Sequence, residues 1–304
     1  MEHKKNILFI VDVPNWAHDF KTKNLASYLQ TDFNINHVYS DTVTESDLNN
    51  SDTILIYYCM HLNRMPHLRE CFVRNKHKLL IGICSHAEID NPEVIDIIKS
   101  LAVGVFVVNN FMYQKARTTF DLPVFYTPNG VNADFYKTRS TKPVNDKLRI
   151  GWAGSLKNHG DHHRGYSNVI VPAISGLDSI EFITANREEK WRTPEEMKEF
   201  YYSLDLYICS SINEGTPNTT FEAAACGVPV LTTKVGNMPE LIIDGFNGMF
   251  FDGSPTDLKI KIEHLKNNHP ILYALSENMN TEILHWDWSV KSQTYLKMLK
   301  QLFR

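Results

Sequence analysis

DLYICSSINEGTPNTTFEAAACGVPVLTT (205–233) reads as a strand, a loop, a short helix and a second strand. Asp205–Ser211 is an apolar run ending in small polar residues, which marks a buried strand with hydroxyls at its carboxyl end. Gly215 and Pro217 mark the loop, and the helix opens near Thr219. VPVLTT (228–233) then starts the next strand, and the β-α-β order implies a parallel sheet. A helix start presents unpaired backbone N–H groups and a partial positive charge, which suit a phosphate. Asn218, Thr219 and Thr220 add side-chain donors at the same place. Glu214 and Glu222 flank it, one in the loop and one in the helix. A carboxylate accepts hydrogen bonds from two vicinal sugar hydroxyls, so the pair suits a ribose and a hexose at the ends of a diphosphate. Read in isolation, Glu222 also fits as a simple partner of the helix dipole.

The same alternation runs through the whole chain. NILFIVDV (6–13), DTILIYY (52–58), KLLIGICS (78–85) and GVFVVNN (104–110) are continuous apolar runs, as in strands buried on both faces. Helices are expected over 19–30, 64–75, 92–101 and 111–120. VFYTPNGVNADFY (124–136) closes the first half, with Pro128, Asn129 and Gly130 marking a turn, and the polar stretch 137–147 reads as a linker. Strands then restart at 148–155, 179–185, 205–211, 228–233 and 248–251, with helices near 165–176, 194–204, 219–226 and 238–243. Val290, Tyr295, Leu296, Leu299 and Leu302 form a near-helical apolar stripe in the tail, expected to pack on the body of the protein. The expected organisation is two doubly wound α/β domains, 1–139 and 140–285, with a closing helix over 286–304. A cleft between two such domains is the default ligand site.

Composition narrows the function. The 304 residues suffice for two domains of about 150 residues each. Residues 1–139 carry 15 acidic and 14 basic side chains, leaving 20 and 17 of the 35 and 31 for the remainder. Neither half offers the positive field that gives sequence-independent affinity for nucleic acid, which makes a nucleic-acid acceptor a disfavoured reading. No stretch approaches the roughly 20 apolar residues that span a bilayer, so any membrane contact would be peripheral, to an inner face. Five cysteines without CxxC spacing read as buried free thiols of a cytoplasmic protein.

EGTPNTTFEAAACGVPVLTTKVGNMPELI (214–242) resembles the signature of the family 4 retaining glycosyltransferases, group 1 enzymes of the GT-B fold. The resemblance rests on Glu214, Glu222, Gly227-Val228-Pro229, and Gly236 with Pro239-Glu240. TPNGVNADFY (127–136) resembles the segment closing that family's N-terminal domain, with Asn132 where Asp is usual. LRIGWAGSLKNHGDHHRGY (148–166) resembles its first C-domain strand and glycine loop, and HWDWSVKSQTYLKML its closing tryptophan motif. The family register implies GT-B architecture, with two Rossmann-like domains facing across a cleft and a C-terminal helix bracing the first. It also implies that Gly154 admits the donor backbone-close, and that Lys157 and Arg164 neutralise a diphosphate. Arg164-Gly165 is the closer match, because KNHGDHH (157–163) is inserted before it.

The register further implies that Glu222 holds the ribose, that Glu214 orients the donor sugar, and that His86, after strand 78–85, reaches that sugar. His18 and His61 compete with His86 for that role. Catalytic roles thus fall to His86, Glu214 and Arg164. DVPNWAHDF (12–20) departs from the family, which has a glycine-rich loop there. Trp16 and Asp19 are the acceptor-side candidates, Trp16 either stacking on a sugar ring or capping the core. Transfer with retention, from a nucleoside-diphosphate sugar to a glycan or other hydroxyl acceptor, is the implied activity. No cofactor and no metal are expected, since the chain lacks an Asp-x-Asp pair. Alternatives are a non-catalytic nucleotide-sugar or glycan-binding module, and a nucleotide-sugar epimerase on the same scaffold.

Overall fold

The computed structural model describes residues 3–139, 147–157 and 160–303. The chain divides into two compact units, Met1–Gly130 with Trp288–Arg304, and Val131–Asp287. In the first, β1 (Asn6–Val11), α1 (Ala17–Leu29), β2 (Asn34–Tyr39), α2 (Glu45–Asn50) and β3 (Thr53–Ile56) come first. After β3 follow α3 (Arg69–Arg74), β4 (Leu79–Ile83), α4 (His86–Ile89), α5 (Pro92–Leu101), β5 (Gly104–Val107), α6 (Asn110–Thr119) and β6 (Val124–Tyr126). All six strands pair in parallel, in the order β2-β1-β3-β4-β5-β6.

Both faces of this sheet are dry, which is why its central strands are apolar without alternation. Leu8, Ile10, Ile54, Ile56 and Ile81 pack on one face with Phe72, Ile98 and Met112. Ile7, Phe9, Leu55, Leu80 and Phe106 pack on the other with Leu25 and Leu29 of α1. The tail closes that second face: Trp288, Tyr295, Met298 and Leu299 of α14 (Trp288–Leu302) lie in the same cluster. Of the expected stripe, Tyr295 and Leu299 are fully buried, but Val290 is 46% exposed and faces solvent.

In the second unit, β7 (Leu148–Gly154), α7 (Asp161–Arg164), α8 (Val171–Ile174), β8 (Ile180–Asn186), α9 (Pro194–Tyr202) and β9 (Leu206–Cys209) lead. α10 (Asn218–Ala225), β10 (Val230–Thr232), α11 (Met238–Leu241), β11 (Met249–Phe250), α12 (Pro255–Lys266) and α13 (His269–Glu282) complete it. Its five parallel strands run β11-β10-β9-β7-β8. In each unit the strand order reverses beside the first strand, so crevices at the carboxyl ends fall between β1 and β3 and between β7 and β9.

The units part at Gly130, not at 139. Val131 and Tyr136 are buried with Tyr201, Phe221 and Trp286 of the second unit, which ties 131–136 to that core. Of the linker expected over 137–147, residues 140–146 lie outside the described residues. The helix expected over 165–176 is a π turn (Tyr166–Ile170) followed by α8, with Pro172 in its first turn. The helix expected over 64–75 is two 3₁₀ turns, Cys59–Arg64 and Pro66–Leu68, followed by α3.

Truncating Leu299 to alanine empties a fully enclosed site in the first unit. Leu299→Ala should lower urea-unfolding stability by roughly 2–5 kcal/mol, while Val290→Ala should stay within about 0.5 kcal/mol of wild type.

Candidate functional site

The crevice between β7 and β9 is assembled from both flanking loops. Gly165 caps α7 in the left-handed conformation (φ 66°), and a Cβ there would lie 2.4 Å from the Ser210 carbonyl oxygen. Only glycine lets the loop lie so close to the end of β9. Two hydrogen bonds then lace the segments together: Ser210 Oγ donates to the Arg164 carbonyl (2.7 Å), and the Ile212 amide donates to that of His163 (3.0 Å). This lacing sets the Arg164 guanidinium against Glu214, Nη1 to Oε1. Ser211 Oγ donates to the same carboxylate oxygen at 2.8 Å. The two side chains are 20% and 13% exposed, so their charges face one another with little water between. Arg164 Nε is buried and makes no hydrogen bond. Two side chains fifty residues apart in sequence, each expected at the site, are thereby brought into contact.

Beside this pair lies the start of α10. Its N-cap is Pro217, which has no side-chain acceptor, so the N-cap residue itself gives the helix no side-chain cap. The Tyr207 hydroxyl stands 2.8 Å from Thr219 Oγ1 and 3.4 Å from the Ala153 carbonyl. One phenol thus joins the end of β7 to the helix start. Asn218 and Thr219 are half-buried at that start, whereas Thr220 is fully buried and withdrawn from it. Of the three expected donors, Asn218 and Thr219 are thus the ones with exposed surface at the helix start. Gly154 ends β7, and a Cβ on it would meet the Trp152 ring at 2.8 Å, so packing within the strand already demands glycine there.

Glu222 lies one helical turn beyond Asn218. Its carboxylate accepts a hydrogen bond from the Tyr201 hydroxyl at 2.6 Å, and Tyr136 also donates to it. Burial pushes its pKa up to about 7, against the pull of these two hydroxyls. Lys157 is exposed, and the loop before it is occupied by an internal anion. Glu188 accepts from Ser155 Oγ (2.5 Å) and the Leu156 amide (2.9 Å), and these hydrogen bonds hold its pKa down at about 2. Sequence reading passed over Glu188, because nothing in NREEKW (186–191) separates it from its acidic neighbours.

In the first unit His86 opens α4, its ring stacked on Phe111 with centroids 4.5 Å apart and planes 7° from parallel. Burial lowers its pKa, and Nε2 is buried without a hydrogen-bond partner. Trp16 precedes α1 and is 37% exposed. Asp19 is not available to an acceptor. It is fully buried and accepts from the Asn15 amide (2.7 Å), Lys23 Nζ (2.7 Å) and the Tyr39 hydroxyl (3.1 Å). These bonds pin the loop 12–16 to the strand beside it, a structural duty. A recess of about 380 Å³ lined by Lys5, Asp52, His77 and Lys78 contains none of the expected site residues.

Residues 188–282 match the family model described as glycosyl transferases group 1. An uncharacterized glycosyltransferase of Methanocaldococcus jannaschii is 36% identical over 85 residues, covering 28% of this chain and 24% of that protein. A D-inositol 3-phosphate glycosyltransferase of Corynebacterium jeikeium is 28% identical over 112 residues, covering 36% of this chain and 27% of the relative. The chain thus spans about a quarter of the length of these curated relatives. Among solved structures, Anabaena HepE in complex with UDP and glucose superposes with a TM-score of 0.73 at 15% identity, over 98% of this chain and all of that one. At that identity the likeness is one of fold, and it confirms two parallel-sheet α/β domains of GT-B type.

The raised pKa of Glu222 has a consequence for stability. Its folded value, about 7, exceeds the ordinary 4.5, so the folded protein holds this proton more tightly. The associated stability is fully present below about pH 4.5 and is lost as pH rises through about 7. Glu222→Gln removes that loss. The variant should be more stable than wild type at pH 8, by on the order of 1–3 kcal/mol in urea unfolding, with the gap closing towards pH 5.

Proposed function

We propose, from the match of residues 188–282 to the glycosyl transferases group 1 family model, that this protein is a glycosyltransferase using a nucleoside-diphosphate sugar. The observation that carries the reading is the Arg164–Glu214 pair beside the start of α10, where β7 and β9 end. The diphosphate seats on the backbone N–H of Thr219 with its hydroxyl as a further donor, while the Asn218 N–H donates to the Thr216 carbonyl (3.0 Å) and reaches the ligand only by giving up that bond. Arg164 adds a fixed cation and its free Nε–H, and the exposed Lys157 supplies a second, more mobile charge. Glu222 accepts the ribose hydroxyls, and Glu214 both holds Arg164 in place and orients the donor sugar.

The bond from the anomeric carbon to the phosphate oxygen breaks as the acceptor oxygen bonds to that carbon. Negative charge develops on the departing diphosphate, where fixed donors in a site short of water are most effective. The acceptor attacks on the leaving-group face and passes its proton to the departing phosphate oxygen, so anomeric configuration is retained. The groups that hold the diphosphate are all protein groups, and no divalent metal is needed among them. The acceptor is a glycan or another hydroxyl compound. Among the described residues no helix is long and apolar enough to cross a membrane, and a lipid-linked acceptor would be met peripherally.

Screening a panel of nucleotide sugars by thermal shift tests the donor class directly. A true donor at 100 times its dissociation constant should stabilise the protein by about 2.7 kcal/mol, and that donor should be hydrolysed slowly without acceptor. A panel in which no nucleotide sugar shifts the transition would overturn the reading. Arg164→Ala should lower turnover by about 10² to 10³, a larger effect on turnover than on donor affinity. Glu222→Ala should instead raise the donor dissociation constant more than it slows turnover. Calorimetric titration paired with initial rates separates the two effects.

A further inference from the structure

We propose that the first unit binds one divalent transition-metal ion of the zinc class through Asp12, His18 and His61. The proposal rests on residues of the first unit alone and stands apart from the donor chemistry assigned above. Asp12 follows the last residue of β1, His61 lies in the 3₁₀ turn after β3, and His18 lies in the first turn of α1. The strand order reverses at β1, so these residues line the crevice at the topological switch point, where open α/β sheets bind ligands. The chain brings together two imidazoles and a carboxylate that are 49 residues apart at the extremes, and no Asp-x-Asp motif is involved.

The geometry is close to a coordination sphere. One donor atom from each residue lies within 4.8 Å of the other two. Asp12 Oδ1 is 3.5 Å from His18 Nδ1, and Asp12 Oδ2 is 3.9 Å from His61 Nε2. Ligand atoms on one tetrahedral zinc stand about 3.3–3.4 Å apart, given metal–ligand bonds of about 2.0–2.1 Å. Placing all three on one ion needs side-chain rotations that draw the donor atoms in from separations of up to 4.8 Å. The rings are held ready for it. His18 stacks on Tyr57 with centroids 4.9 Å apart, and His61 meets both His18 (5.8 Å) and Tyr58 (5.3 Å) edge-on.

The group has unsettled polar accounting. His61 Nδ1 is buried without a hydrogen bond, the His61 residue is only 5% exposed, and the nearest group to the buried Asp12 Oδ1 is His18 Nδ1 at a long 3.5 Å. Buried polar atoms left without partners are costly, and a bound cation satisfies the carboxylate. Two imidazole nitrogens and one carboxylate oxygen select zinc and its first-row neighbours over magnesium or calcium, which prefer all-oxygen shells. Three protein ligands leave a fourth position for water or an exogenous oxygen ligand, as in open zinc sites.

The test is titration of chelator-treated full-length protein with cobalt(II), followed by visible absorption, and with zinc(II), followed by calorimetry. Wild type should take up one equivalent of either ion. His18→Ala and Asp12→Asn should each weaken binding by more than the about 10- to 100-fold that losing a mere outer-sphere partner costs. His264→Ala, an exposed histidine of the second unit, should bind as wild type does. Circular dichroism checks each variant's fold, and in wild type itself the ring nitrogens of His18 and His61 should shift on zinc addition in a ¹H–¹⁵N spectrum. Absence of stoichiometric uptake by wild type, unchanged affinity in folded His18→Ala and Asp12→Asn, or unmoved ring signals would each overturn the assignment.

Discussion

The close approach of Gly165 to the end of β9 is the constraint on which the site in the second unit depends. A left-handed residue without Cβ lets the loop after α7 touch the Ser210 carbonyl, and Ser210 in turn hydrogen-bonds the Arg164 backbone. From that single contact follow the position of the guanidinium and its pairing with Glu214. A flexible arginine would lose much conformational freedom on gripping a phosphate, and the lacing removes most of that freedom in advance. The pair is also electrically economical, since each charge is neutralised before any ligand arrives.

The fold was legible because strands buried on both faces must be apolar throughout. β1, β3, β4, β5, β7 and β9 all announce themselves in that way, and both sheets take the doubly wound order expected. β2 (NINHVY) escaped notice because it is an edge strand, half-buried and largely polar, paired on one side only. The boundary at 130 was illegible for a different reason. Val131 and Tyr136 follow the Pro128-Asn129-Gly130 turn without any composition shift, and only tertiary packing with Tyr201 and Trp286 assigns them to the second unit.

Site residues divide along the same line. Glu214 and the start of α10 were readable from local pattern, because glycine turns and helix starts leave marks in sequence, whereas Arg164 was placed by the family resemblance. Which hydroxyl faces outward was not readable, and the structure gives Thr219 that place and buries Thr220. Asp19 looked like a free acid near a loop, yet Asn15, Lys23 and Tyr39 consume it. Its neighbour Asp12 looked like the mere end of a strand, and its meeting with His18 and His61 depends on a strand order that no local pattern states. Glu188 belongs in the same class, since it reaches the glycine loop across a whole strand-and-helix excursion.

The central claim is that a diphosphate rests on the amino end of α10 with Arg164 alongside. A crystal structure of the protein soaked with its preferred nucleoside diphosphate tests this most directly. The account predicts phosphate oxygens within about 3 Å of the Thr219 amide and of the Arg164 guanidinium, with the ribose at Glu222. A nucleotide bound elsewhere, with Arg164 and Glu214 still paired to one another and the helix start bare, would contradict it.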